Sequence, residues 1–216
     1  MWGFLRPDSK FILYANKFCD LIALNLVMLI FCIPVFTIGT SITAMHYVLL
    51  KILRDELSGG VIRNFWNSFK SNFKQATLLW LIYLPVGVLI LWDLLMFHKG
   101  LITLPTVLKY LLIVLGVLWM ISLNWSLILQ SRYVNPIKAT IRNSLLFCLF
   151  HPLDTLLINA VLCIPIALVI LLPQLTPIVL FCGFGLSGML SAGIYSRIFT
   201  WHESELSKET ENNERR

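Results

Sequence analysis

Cys32-Ile33-Pro34-Val35-Phe36-Thr37-Ile38-Gly39 is the stretch on which the fold turns. It sits inside an apolar run of about 38 residues, near 18–56. A helix needs about 20 residues to cross ~30 Å of hydrocarbon, so the run is too long for one span and a little short for two. Proline breaks the helical hydrogen-bond ladder and glycine permits a turn. Two readings compete: one kinked helix, or a tight hairpin of short helices at about 18–33 and 40–56.

The rest of the sequence says what surrounds this run. Of 216 residues, 58% are hydrophobic and 13% charged, and mean hydropathy is +0.81. Soluble domains run at roughly 45–50% apolar and about 25% charged. A chain of this length makes about one domain, and in water it has no interior able to hide so much apolar surface. That excludes a soluble enzyme, a disordered regulator and a disulfide scaffold. The lipid bilayer is the expected solvent. Further apolar stretches cover about 73–97, 103–130, 153–172 and 175–199. The opening eighteen residues have no short apolar core followed by a small-residue cleavage site, so no signal peptide is expected.

Positive charge arbitrates between the two readings of the first run. With six spans and both termini cytoplasmic, 15 basic residues face inward and only Lys99 and Lys109 lie outside. Five spans with an external N-terminus weaken the split to 12 against 5, and five with an internal N-terminus reverse it. The expectation is therefore an all-α polytopic membrane helical bundle, six transmembrane helices forming three hairpins. The alternative is five spans with a kinked first helix. The transmembrane domain occupies 1–199, and 200–216 is a polar cytoplasmic tail, disordered or a fraying helix. An internal echo agrees with the hairpin: Asp20 to Val27 resembles Asp154 to Val161, and Cys32-Ile33-Pro34 resembles Cys163-Ile164-Pro165.

Between the second and third spans, 61–73 reads as an amphipathic cytoplasmic helix beginning after Gly59-Gly60. Val61, Ile62, Phe65, Trp66, Phe69 and Phe73 fall within roughly a 140° arc at about 100° per residue. Such a helix either lies on lipid or docks a partner. Phe65, Trp66, Phe69, Lys70 and Phe73 form the candidate partner-docking face. Segment 135–150 is a weaker counterpart, with Lys138 and Arg142 on one side.

Polar groups inside hydrocarbon are costly unless partnered, which makes them pointers to function. Asp20 and Asp154 sit near the inner ends of their spans, with Asn25 and Asn159 five residues deeper. These four form a candidate polar cluster, read either as interhelical glue or as the mouth of a polar pathway. Asp93, Ser122, Asn124, Gln130 and His46 are further intramembrane polar positions, and Gly183, Gly185, Gly188, Ser187 and Ser191 give the last span a small-residue face for close packing. The chain has no GxxxxGK[ST], HExxH or GxSxG pattern, and its five cysteines include no CxxC pair. No catalytic residue, cofactor, metal site or nucleic-acid partner is expected.

Several stretches together resemble a known family. They are Asp20…Asn25, Ile33 to Gly39 followed by Ala44 and Tyr47, Arg54-Asp55-Glu56, and Phe65 to Ala76. This set is similar to the YesL-like family of small bacterial integral membrane proteins. The resemblance implies a multi-pass protein of the cell membrane, in a Gram-positive bacterium. It further implies an accessory or regulatory role beside the permease subunits of a carbohydrate ABC importer, and it transfers no catalytic or ligand residue. The alternative is an independent small transporter or channel using the Asp/Asn cluster. The sequence leaves the oligomeric state open.

Overall fold

The computed structural model describes residues 10–100 and 105–214, and every regular element among them is helical. Seven long helices follow in order: α1 (Lys10–Cys32), α2 (Ile38–Leu53), α3 (Val61–His98), α4 (Thr106–Arg132), α5 (Ile137–Phe150), α6 (Pro152–Leu171) and α7 (Phe184–Glu214). A π-helical turn, Val179–Gly183, leads into α7. Six stretches are long and apolar enough to cross a bilayer; at 14 residues, α5 is too short. The chain is an all-α, multi-pass membrane protein.

The first run is a hairpin. α1 stops at Cys32, before Pro34, and a short 3-10 turn at Val35–Thr37 reverses the chain. The Thr37 hydroxyl reaches the carbonyl of Phe31 (2.6 Å), which the end of α1 leaves without a helical partner, and that of Pro34 (2.7 Å) in the turn. Ser41 then donates to the carbonyl of Met28 at 2.9 Å, pinning α2 back along α1. Gly39 is required by close approach: a Cβ there would sit 2.5 Å from Cβ of Trp80 and 3.0 Å from the carbonyl of Ala76, both on α3.

α2 is the central helix. It packs on α1, α3, α4 and α7, and buries Thr40, Ser41, Thr43 and His46 among its apolar residues. A span carrying so many polar groups is cheapest where protein, rather than lipid, surrounds it. Around it the core gathers Leu24, Val48, Leu49, Phe65, Trp125, Tyr195 and Phe199, all essentially inaccessible.

The α2–α3 connection is tightly built. Glu56 N–H donates to the carbonyl of Lys51 (2.9 Å) and Asp55 N–H to that of Ile52 (3.4 Å), the paired bonds of a Schellman helix end. The left-handed residue is Asp55 (φ 54°), where glycine is commoner. Its carboxylate reaches back to Lys17 of α1 at 2.7 Å.

One sequence expectation changes here. The amphipathic segment does begin at Val61, behind Gly60 with φ 83°. It is not a separate helix at the interface, however, because it runs unbroken into the third span as one helix of 38 residues. At 1.5 Å per residue α3 is about 57 Å long, nearly twice the hydrocarbon thickness. Packing against α2 supports its first turns where an isolated amphipathic helix would lie flat. The segment from 201 onward takes the helical one of its two expected forms: α7 continues to Glu214. A helix already nucleated in a span propagates outward without a new nucleation cost. Glu203 is held by Arg132 at 2.9 Å, and Lys208 pairs with Glu205 at 2.8 Å. Arg6, Arg215 and Arg216, counted above as inward charges, lie outside the described residues.

Candidate functional site

Asn25 is completely buried where α1 meets the last span. Its amide nitrogen donates to the carbonyl of Leu180 at 2.6 Å, and its amide oxygen accepts from the N–H of Gly185 at 2.8 Å. Leu180 and Gly185 are five residues apart across the π-helical turn. The side chain therefore inserts like an extra peptide group, satisfying one acceptor and one donor at the place where the helical ladder is disturbed. Gly185 makes this approach feasible, since a Cβ there would lie 2.8 Å from the carbonyl oxygen of Leu21. The small-residue face thus has a definite use; Gly188 similarly faces Leu49 and Met45 of α2.

Asn159 occupies the echoing position in α6 but has other partners. Its oxygen accepts from Asn124 of α4 at 2.6 Å, and its nitrogen donates to the carbonyl of Thr155 at 2.8 Å. The Thr155 hydroxyl in turn accepts from the indole of Trp125 at 2.9 Å. Asn25 and Asn159 thus belong to two separate sets of bonds, one joining α1 to the last span and one joining α4 to α6. Asp154 has His151, one turn earlier, 3.8 Å away. Asp20 is partly buried, and among the described residues no hydrogen bond or ion pair engages it. The echo also diverges at its prolines, because Pro34 follows the end of α1 while Pro165 sits inside α6.

Sequence reasoning missed the tyrosines. The Tyr195 hydroxyl bonds Nδ1 of His46 at 3.1 Å, both side chains fully buried between α2 and α7. The Tyr83 hydroxyl meets Ser122 at 2.6 Å and Ser126 at 3.1 Å, and Ser122 meets Ser144 of α5 at 3.1 Å. The signal was present: a tyrosine deep in an apolar helix must bring a partner for its hydroxyl.

The candidate docking face divides in two. Phe65 and Phe69 point inward, with their rings 5.6 Å and 4.9 Å from that of Phe31 at the end of α1, and both are buried. Trp66 lies nearly parallel to Phe69 at 5.9 Å and is 47% exposed. Phe73 and Lys70 are exposed as well, as is Ile62. The outward stripe of this segment is therefore Ile62, Trp66, Lys70 and Phe73. Elsewhere α3 and α4 pack on each other through Gly87, whose added Cβ would lie 2.3 Å from the Trp119 ring. They leave Leu89, Trp92, Leu95, Tyr110 and Val114 exposed on their flanks.

At the other end of α4, Glu203 gathers Arg132 and Tyr133, whose hydroxyl donates to it at 3.3 Å. Burial, reinforced by the Glu203 carboxylate, pushes the Tyr133 phenol up.

Residues 21–94 match the model of a family described as a protein of unknown function, DUF624. This segment carries α1 from Leu21, the Pro34 hairpin, α2 and most of α3. Neither the curated proteins nor the solved structures give a match.

Proposed function

We propose that this protein is a non-catalytic integral membrane subunit that acts beside the permease subunits of a carbohydrate ABC importer, as an accessory or regulatory component. The observation that carries the reading is where the intramembrane polar side chains place their hydrogen bonds. Asn25, Asn159, Tyr83 and His46 each bind another helix of this chain. Side chains so committed build a scaffold rather than line a pathway. The DUF624 match over 21–94 agrees with the YesL-like resemblance, which supplies the importer and the Gram-positive cell membrane. The orientation follows the positive-inside rule: the hairpin ends bearing Lys51, Arg54, Arg63, Arg132 and Lys138 face the cytoplasm, together with both termini.

The test is photo-crosslinking in intact cells from a light-activated residue at Trp66, with Phe65 as the buried control. A discrete adduct between position 66 and an importer permease, absent from position 65, is the expected result. Adducts from position 66 to lipid alone, or to no protein beyond this chain, refute the docking role.

A further inference from the structure

The loop joining α2 to α3 frames a small cleft whose lining is largely polar. Its volume is about 290 Å³, and Lys51, Ser58, Gly59, Arg63, Asn64 and Asn67 surround it. We propose that this cleft binds a phosphate group, carried either by the headgroup of an anionic lipid or by a soluble phosphate.

The argument begins with how the two cations are held. Lys51 donates to the Asn64 side-chain oxygen at 2.9 Å, and its ammonium sits 5.0 Å from the centre of the Tyr47 ring. Asn64 is itself buried. Its nitrogen donates to the carbonyls of Ser58 (2.7 Å) and Gly60 (2.8 Å), locking the loop to the start of α3. The lysine head is thus fixed while two of its three donors are left over. Arg63 lies along Gly59, its Cδ 3.2 Å from where a Cβ would stand. With φ at 78°, Gly59 both makes the turn and leaves room for the arginine stem.

The neighbouring carboxylates are paired elsewhere or stand beyond ion-pair distance of these two cations. Asp55 is bound to Lys17 and Glu203 to Arg132. Glu56 lines an adjoining cleft of about 200 Å³, where Lys51, Arg54 and Arg132 also lie. Among the described residues, neither Lys51 nor Arg63 forms an ion pair. An ammonium on one helix and a guanidinium fork on the next, with an amide at Asn67, match the several acceptor oxygens of a phosphate.

The experiment titrates the full chain in a neutral detergent with phosphatidylglycerol, phosphatidylcholine and inorganic phosphate, reading bound ligand by native mass spectrometry and by calorimetry. Phosphatidylglycerol saturating where phosphatidylcholine does not, and losing at least about tenfold in affinity in Arg63→Gln, is the expected result for a lipid source. The same pattern with inorganic phosphate alone assigns a soluble phosphate. Arg63 makes no hydrogen bond or ion pair among the described residues, so its replacement leaves the fold intact; Lys51→Gln with Arg63→Gln should deepen the loss. Lys70→Gln with Lys74→Gln is the control for diffuse charge. Equal weakening by the control pair, no weakening in Arg63→Gln, or no saturable binding of either anion overturns the proposal.

Discussion

Replacing Asn25 with leucine keeps the branching and heavy-atom count of the side chain and removes both of its bonds. The amide contributes two contacts, 2.6 Å to Leu180 and 2.8 Å to Gly185. Interhelical hydrogen bonds measured in a membrane protein average about 0.6 kcal/mol and reach about 1.7, which sets a floor near 1 kcal/mol for the pair. A buried backbone group left without a partner costs about 1–3 kcal/mol, and here one carbonyl and one N–H lose theirs. Part of that cost is recovered if the π-helical turn tightens so that Leu180 accepts from Phe184. The net loss expected is about 1–3 kcal/mol. The assay is reversible unfolding in mixed micelles, followed by fluorescence of the seven tryptophans. Asn25→Gln should lose stability too, because its longer side chain cannot place both amide atoms between Leu180 and Gly185. Gly185→Ala attacks the same contact from the other helix, and its double-mutant cycle with Asn25→Leu should show coupling above about 0.5 kcal/mol. A loss under about 0.3 kcal/mol for Asn25→Leu, or independent effects of the two changes, would refute the reasoning.

Gly87→Ala should destabilise by about 1–3 kcal/mol through overpacking, because the new methyl would stand 2.3 Å from the Trp119 ring; the same unfolding assay reads it, with a shift in emission reporting Trp119. Tyr195→Phe should cost about 1 kcal/mol by removing the buried partner of His46, 3.1 Å away. At Asp55, valine should cost about 1–2 kcal/mol because its branched side chain resists the left-handed backbone at φ 54°. Asp55→Gly should be nearly neutral in unfolding, trading relief of that backbone against an exposed ion pair to Lys17 that contributes about 0.2–1 kcal/mol. Cysteines placed one at a time at the exposed positions 35 and 36, in a chain freed of its native cysteines, should react with a membrane-impermeant maleimide from outside the cell, and reaction only after lysis would reverse the orientation.

What was legible in the sequence was whatever is fixed locally. Pro34 ends α1 and Gly60 precedes α3, as backbone chemistry requires. The later apolar runs give one span each by length, while the first was divided into two by the placement of positive charge. The continuity of α3 was not legible, because Lys70, Ser71, Asn72 and Lys74 form a polar interval at which a lone helix would bend into the interface. Support comes from outside that segment: Thr77 bonds Thr40 of α2 at 2.8 Å, and Gln75 donates to the carbonyl of Asn135. The amphipathic arc was likewise only half right as a guide to burial. Asn64 and Ser68 fall outside that arc, yet both are buried against the bundle. An amide that satisfies a lysine and two loop carbonyls at once is worth burying, and no periodicity reveals that. The candidate cluster suffered from the same blindness. Asn25 and Asn159 share a sequence context, but the helices they bridge to, the last span for Asn25 and α4 for Asn159, are selected by tertiary packing.

Those partners explain why the polar residues are needed at all. Apolar side chains pack against lipid about as well as against each other, so apolarity alone does not tell a bilayer-embedded helix which neighbour to choose. Adjacent spans are brought together by short connections. α1 and the last span are not; Asn25 reaches Leu180 and Gly185 across 155 and 160 residues. His46 joins α2 to α7 across 149. These two contacts close the bundle by tying its first hairpin to its last helix, and both depend on a small residue or a tyrosine hydroxyl delivered at the right height. Loss of either should therefore leave the hairpins and their helicity largely intact while loosening the first hairpin from the last span. Circular dichroism would change little, whereas disulfide trapping between cysteines at Leu26 and Phe181, which line one groove between α1 and the last span, would lose its site selectivity. Unfolding of the whole helical content in Asn25→Leu would instead mean that the contact maintains the helices themselves rather than their arrangement.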